Sequence, residues 1–148
     1  KEGTDTMEED LKKLYDEGKK AFGFYCGKGE WFLLTLKNID FMSQMLPDVS
    51  KASQSLDVSV LHTLILEKIF GIDKENMAKQ INLTYTKFFT EAIDGVDKGE
   101  FQCSFVLNPT RVTEIRDVAA AGEKMPQKST YFYPKMITGM VMNNLGVD

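Results

Sequence analysis

The chain has 148 residues and a mass of 16.8 kDa, which is the size of one ordinary globular domain. Hydrophobic residues make up 43% of it and charged residues 27%, a balance that excludes wholesale disorder. Eighteen basic and 22 acidic side chains give a net charge of −4, which argues against a general nucleic-acid-binding protein because such proteins carry a basic stripe. The longest apolar runs are only a few residues long, so no membrane-spanning segment is predicted. We therefore expect a single domain over residues 1–148 that binds neither nucleic acid nor membrane.

The first half of the chain predicts a helix, a hairpin and a second helix. Apolar residues recur at helical spacing up to Lys20, and Thr6 with Glu9 forms a capping-box pattern. Residues 21–26 and 31–37 are rich in aromatic and branched side chains and flank a glycine-containing turn, which is typical of a β-hairpin. A helical turn interrupted at Pro47 is expected within residues 37–51. A longer helix is predicted from Asp57, as its N-cap, to Gly71.

The second half predicts alternating strands and helices. Strands are expected at residues 81–85, 101–107 and 137–142, with helices at 88–98 and from 108–110 to Gly122. The inward face of the last helix is assigned to Val112, Ile115 and Ala119. This pattern predicts an α/β (α+β) fold in which a mixed sheet begins with an antiparallel hairpin, continues as strand–helix–strand–helix–strand, and has helices packed on it.

The two cysteines, Cys26 and Cys103, are far apart in the sequence and both lie in apolar stretches. Buried free thiols are the expected state, although the sequence leaves a disulfide open. One histidine and no cysteine cluster predict that the protein has no metal site. His62 lies beside an apolar helical stripe and is expected to be structural. The sequence identifies no cofactor and does not decide whether the protein is an enzyme.

The most unusual stretch is residues 124–135, which hold three lysines, two hydroxyl side chains and two tyrosines. Residues 108–135 contain five basic and three acidic side chains, a local net charge of +2 in an acidic chain. A cationic segment of this kind is suited to an anionic small molecule, although the lysines could equally line a solvated loop while the tyrosines fill the core. The candidate ligand-binding residues here are Lys128, Ser129, Thr130, Tyr131, Tyr133 and Lys135.

A second candidate is the turn that contains Asn108, Thr110 and Arg111. It joins the carboxyl end of a predicted strand to a helix N-terminus, where free N–H groups attract anions, although Thr110 could simply cap the helix. The helix after this turn is about 16 Å long at 1.5 Å per residue. The two candidates therefore share one site only if the loop after the helix folds back, and both arrangements remain open. A phosphate-loop pattern ending at Ser129 is rejected because it follows a helix rather than a strand.

Three stretches resemble one protein family in the same order along the chain: LDVSVLH at residues 56–62, FVLNPT at 105–110 and MPQKSTYFYPK at 125–135. The family is the uncharacterised conserved prokaryotic family called domain of unknown function 1015. The resemblance runs from about Phe22 to Val141 and implies that this chain is the C-terminal portion of a longer, cytoplasmic bacterial or archaeal protein. The family has no assigned activity, so the resemblance implies none.

Two functions follow as hypotheses. In the first, the protein binds an anionic metabolite, phosphorylated or carboxylated, through residues 124–135. No general base is evident in the sequence, where Glu123 and His62 are the only nearby or distinctive candidates and neither is assigned the role. In the second, it is a non-catalytic regulatory or oligomerisation module whose 124–135 segment docks against the N-terminal part of the same protein. An exposed apolar face would favour the second hypothesis.

Overall fold

A computed structural model describes residues 4–130 of the chain. Its elements, in chain order, are α1 (Thr4–Asp16), β1 (Ala21–Tyr25), β2 (Trp31–Thr35), α2 (Phe41–Met45), α3 (Lys51–Gln54), α4 (Asp57–Val60), a π-helix (Leu61–Glu67), α5 (Lys74–Lys79), α6 (Phe89–Asp97), β3 (Ser104–Val106) and α7 (Val112–Ala120). The predicted α+β class is confirmed, and the helix predicted at residues 88–98 forms as α6. Helix α1 already includes Thr6, so the predicted capping box at that residue is wrong.

The predicted hairpin is confirmed and forms the centre of the sheet. Strand β1 pairs with β2 on one side and with β3 on the other, in the order β2-β1-β3, and both pairings are antiparallel. The tight connection between β1 and β2 depends on positive φ angles at Gly27 and Gly29, 92° and 71°, a conformation that glycine adopts without steric cost. Glu30 N donates to Gly27 O over 3.0 Å and closes the turn.

The strand predicted at residues 81–85 is wrong. Helix α5 forms just before it because the Asp73 side chain accepts a hydrogen bond from Asn76 N and caps that helix. Ile81 is then left 65% exposed, without the buried face that would reward strand pairing. The sheet of the described residues is consequently antiparallel rather than mixed. The last predicted strand, at residues 137–142, lies outside the described residues.

Each face of the sheet is covered by helices to a different extent. Helix α1 packs Met7 and Leu11 against Ala21 on one face. On the other face Phe22 packs into the main core with residues from α2, α4, the π-helix and α5: Met42, Val60, Leu61, Leu66 and Met77. The helices therefore cover only the Phe22 end of this second face, and the Phe32 end is left exposed.

Helix α7 is joined to the body through a third cluster of Leu56, Val58 and Val118. The sequence placed Val112 on its inner face, but Val112 is 79% exposed and Val118 is fully buried. Ala119, also predicted to face inward, is exposed, and Ile115 is half-buried. Arg111 keeps an extended backbone as the N-cap of α7, so the helix begins later than predicted.

The helix predicted from Asp57 begins there, with Leu56 rather than Asp57 at the N-cap. From Leu61 it widens into the π-helix, and Phe70 N donates to Ile65 O, five residues earlier, over 3.0 Å. A π-helix is rare in proteins and is not visible in hydrophobic periodicity. No described helix is long and apolar enough to cross a membrane.

Candidate functional site

The Asn108–Arg111 turn connects β3 to α7 and is bound to two other parts of the protein, α1 and the loop after α7. The Asn108 side-chain nitrogen donates to Leu11 O of α1 over 3.1 Å. Thr110 Oγ1 donates to Ser129 O over 2.8 Å, so Thr110 does not cap α7. The loop after α7 therefore folds back along the helix, which brings the described part of the 124–135 segment to the turn. Tyr131, Tyr133 and Lys135 lie outside the described residues.

The returning loop holds its shape through its own backbone. Ser129 Oγ donates to Pro126 O over 2.6 Å, and Lys128 adopts a positive φ of 59°, which is uncommon for a residue with a side chain. Lys128 is exposed, whereas Ser129 and Thr130 are half-buried. Among the described residues, Lys128 is the candidate whose charged group makes no ion pair.

Arg111 is committed to contacts within the protein. Its guanidinium pairs with Asp16 and lies 4.1 Å above the Tyr15 ring, an arrangement that favours a cation over an aromatic face. Its backbone N–H donates to the Glu114 carboxylate over 2.9 Å. The Glu114 carboxylate therefore already occupies the N-terminus of α7, so an external anion would gain less binding free energy there.

A partly buried ion network, which no pattern in the sequence predicts, lies beside the turn. Lys20 Nζ lies 3.1 Å from Asp57 Oδ1 and 3.7 Å from Glu114 Oε1. Asp57 is 8% exposed, and neither carboxylate oxygen accepts a hydrogen bond of good geometry from the described residues. Burial raises the pKa of Asp57 above its ordinary value, and Lys20 opposes that rise. Burial, together with the Glu114 carboxylate, also raises the pKa of Tyr15.

Glu123, a candidate general base in the sequence, stabilises the start of α3 instead. Its carboxylate accepts hydrogen bonds from Ser50 N over 2.6 Å, from Ser50 Oγ over 2.8 Å and from Ser53 Oγ. The hydrogen bonds from Ser53 and Ser50 hold the pKa of Glu123 below its ordinary value. A carboxylate with a lowered pKa and three donors is a weak proton acceptor.

His62 lies in the π-helix and packs edge-on against the Tyr85 ring, with 6.3 Å between ring centroids. Burial lowers its pKa below the ordinary 6.5. The unfolded chain therefore protonates this imidazole more readily than the folded chain does, so the stability that depends on neutral His62 is retained above pH 6.5 and is lost as the pH falls toward the folded pKa.

We expect the urea midpoint of unfolding to fall when the pH is lowered from 7.5 to 5.5, and to fall less in His62→Gln. An equal fall in the variant would contradict this role of His62.

A row of four phenylalanines crosses the sheet on the face that carries Phe22. Phe24 lies 6.1 Å from Phe32 and 5.0 Å from Phe105, and Phe105 lies 5.9 Å from Phe70, measured between ring centroids. The two ends of this row are open to solvent, since Phe32 is 49% exposed and Phe70 is 47% exposed. We call these four residues the phenylalanine row. The row is a continuous aromatic surface of the kind that marks interaction sites.

Strand β2 forms an outer edge of the described sheet. Leu36 N donates to Lys20 O over 2.9 Å, and this pair continues the register of β1 with β2. Hydrogen-bonded pairs alternate with non-hydrogen-bonded pairs in antiparallel ladders, so Leu34 and Phe32 bond to β1. The N–H and C=O groups of Trp31, Leu33 and Thr35 consequently point away from β1, where no described strand pairs with them.

An apolar cavity of about 160 Å³ lies where the sheet meets the π-helix. Hydrophobic side chains line it almost entirely: Phe22, Leu34, Leu36, Val60, Leu64 and Ile65, with Thr35. Ordinary small-molecule sites are about 300–1,000 Å³ and carry a few placed polar groups. The size and lining of this cavity do not suit a charged metabolite. Among residues 4–130, no group of three or more histidine, cysteine or acidic side chains is placed to hold a metal ion.

No protein-family profile, no curated protein and no solved structure matches this chain. The family resemblance read from the three motifs therefore stays a prediction.

Proposed function

We propose that this chain is a non-catalytic interaction module that binds an extended polypeptide segment along the outer edge of β2. The observation that carries the proposal is the outer edge of β2, which no strand within residues 4–130 covers and which adjoins the exposed end of the phenylalanine row. The occupant is a segment with an apolar centre and acidic flanks. It would add to the sheet as an antiparallel fourth strand, a recurring mode of peptide recognition.

The composition of β2 supports this role. Natural edge strands are usually protected by charged side chains, proline or a bulge. Strand β2 has the sequence WFLLT, with no charge and no proline, and its register with β1 is regular. Phe32 and Leu33 are 49% and 38% exposed, on opposite faces of the strand. An edge of this kind is stabilised by a further strand that satisfies its N–H and C=O groups and covers its side chains.

The phenylalanine row supplies side-chain contacts for the incoming strand. Every second side chain of that strand would lie on the same face as Phe32 and Phe24. Apolar side chains at those positions would extend the row beyond β2 and cover the exposed ring of Phe32. Burial of one large apolar side chain contributes about 1.5–3 kcal/mol. The proposed segment is therefore apolar at alternate positions.

Lysines around the hairpin favour acidic residues on both sides of the apolar centre of the bound segment. Residues 19–37 contain four lysines and one glutamate. Lys19 and Lys20 already form ion pairs with carboxylates of the chain, which leaves Lys28 and Lys37 to attract an external charge. Lys28 and Lys37 are exposed and lie beyond the two ends of β2. A second copy paired through Leu33 would bring its Lys37 opposite the turn that contains Lys28, and like charges oppose such pairing. Acidic flanks complement both lysines, which favours a different partner over self-association.

Fluorescence anisotropy with a labelled synthetic peptide tests the proposal. The probe has alternating valine and phenylalanine between two aspartates at each end, and a second peptide has lysines at the ends. We expect the acidic probe to bind at least ~tenfold more tightly than the lysine probe, and its affinity to fall with salt. Equal binding of the two probes, or self-association of the protein through β2, would overturn the proposed occupant.

Two variants distinguish the contribution of the β2 edge to peptide affinity from the contribution of the two lysines. Leu33→Pro removes an outward N–H without breaking the ladder with β1 and should weaken binding at least ~tenfold. The double variant K28E/K37E should also weaken it. The control K12E/K74E changes two exposed lysines on α1 and α5 by the same total charge and should leave the affinity unchanged. Loss of binding in the control would show a general charge effect and contradict the proposed site.

The second candidate function is anion binding by the 124–135 segment. It is favoured by the bond from Thr110 to Ser129, which brings exposed Lys128 to the end of α7. It is disfavoured by the internal contacts of Asn108, Thr110 and Arg111. A thermal shift with inorganic phosphate that Lys128→Ala abolishes, combined with no peptide binding, would replace our proposal with this one.

A further inference from the structure

The two cysteines, 77 positions apart in the sequence, each lie one residue beyond the last paired residues of β1 and β3. Strand β1 pairs with β3 as Gly23 with Val106, Phe24 with Phe105 and Tyr25 with Ser104. One further step of this register places Cys26 opposite Cys103. The sequence predicted two buried free thiols, but Cys26 is exposed and Cys103 is half-buried.

The hydrogen-bond pattern brings this pair close. Hydrogen-bonded and non-hydrogen-bonded pairs alternate along the β1–β2 ladder. The residues of β1 whose backbone groups point toward β2 are therefore Phe22 and Phe24, as for Lys20 just before the strand. Gly23 and Tyr25 therefore bond to β3, and Cys26 with Cys103 takes the place of a non-hydrogen-bonded pair. In such pairs the Cα atoms are about 4.5 Å apart, which falls within the range of about 4.4–6.8 Å that a disulfide requires.

The two thiols also have different surroundings. Burial raises the pKa of the Cys103 thiol, and the Cys26 thiol raises it further. Exposed Cys26 is the accessible nucleophile, and Cys103 is the protected partner beside it. Reactive pairs commonly combine an accessible cysteine with a resolving one.

We propose that Cys26 and Cys103 are a reversible dithiol–disulfide pair that cross-links β1 to β3 when a peroxide oxidises the protein. The Cys26 thiolate attacks one peroxide oxygen, the O–O bond breaks, and hydroxide leaves and becomes water by taking a proton. Cys103 then attacks the resulting sulfenic sulfur, the S–S bond forms, the S–O bond breaks, and a second water leaves. The two thiols lose two electrons and the peroxide gains them. The pair is independent of peptide binding at β2.

Mass spectrometry of the full chain after treatment with hydrogen peroxide tests the pair. We expect the folded monomer to lose two hydrogens and to yield a peptide cross-linked through Cys26 and Cys103. In glutathione redox buffers, the equilibrium constant for forming the disulfide should be at least ~tenfold larger for the folded chain than for the chain unfolded in urea, because the fold already holds the two thiols close together. Equal oxidation of the folded and unfolded chains would overturn the proposal.

Serine variants separate the two roles. Cys103→Ser should accumulate a sulfenic acid at Cys26 that a dimedone reagent traps. In Cys26→Ser, Cys103 should react at least ~tenfold more slowly than Cys26 does in the other variant. Equal rates for the two cysteines, or oxidation only to dimers linked through Cys26, would contradict the assignment.

Discussion

Replacing Lys20 by methionine is expected to lower the free energy of unfolding by about 3–5 kcal/mol. Lys20 is the cation within 4 Å of both Asp57 and Glu114, and Asp57 is nearly fully buried. Methionine preserves the apolar stem but leaves the Asp57 carboxylate without its counter-ion, and an unpaired buried charge is strongly destabilising. Urea unfolding at pH 7, followed by circular dichroism, measures the loss.

The pH dependence of unfolding and two further variants identify the cause of the stability loss in Lys20→Met. The pKa of Asp57 is raised in the folded state, so the folded chain holds this proton more strongly than the unfolded chain does. The free-energy cost of burying the Asp57 carboxylate therefore grows as the pH rises through the raised pKa. The cost of Lys20→Met should therefore shrink at acid pH, and adding Asp57→Asn should restore most of the loss at pH 7. Lys19→Met removes an exposed pair with Glu17 and should change stability little. A cost for Lys20→Met that is independent of pH would contradict the ion-network account.

Replacing Phe22 by alanine should lower the free energy of unfolding by about 3–5 kcal/mol. Phe22 is 2% exposed and packs with Met42, Val60 and Leu61 in the main core. It also borders the existing apolar cavity, which the substitution would enlarge, and an empty cavity costs stability in proportion to its volume. Chemical unfolding of the variant measures the effect.

Phe32→Ala is the matched control, since it removes the same side chain from the same face of the sheet. Phe32 is about half exposed and contacts Phe24 at the end of the phenylalanine row. We expect it to cost less than about 1 kcal/mol of stability, because half of its surface already faces water, but to weaken binding of the acidic probe. Equal stability losses in the two variants would contradict the division of this face into a structural end and a binding end.

Local patterns predicted the elements whose signals lie close together in the sequence. The hairpin follows from two apolar segments around Gly27 and Gly29, and α6 follows from its apolar spacing. The strand expected at residues 81–85 carried an apolar pattern of similar strength, but the Asp73 cap favoured α5 just before it. Val112 was placed inward in a helix expected to begin at residues 108–110, whereas α7 begins at Val112 itself and its first residue lies outside the core.

The candidate site depended on contacts that no local pattern contains. Thr110 meets Ser129 because the loop returns along α7, and Lys20 meets Asp57 across 37 positions of sequence. Cys26 and Cys103 become neighbours only through the β1–β3 register. The sequence of β2 shows that this strand is uncharged, but only the topology shows that no strand within residues 4–130 covers its outer edge.

Amide hydrogen exchange of the ¹⁵N-labelled protein, with and without the acidic-flanked probe peptide, would detect strand addition at β2 residue by residue. The proposal predicts that the amides of Trp31, Leu33 and Thr35 exchange at least ~tenfold more slowly when the peptide is bound. The amides of Phe32 and Leu34, already bonded to β1, should change little. Bound peptide without added protection at those three amides, or protection concentrated around Lys128, would contradict strand addition at β2.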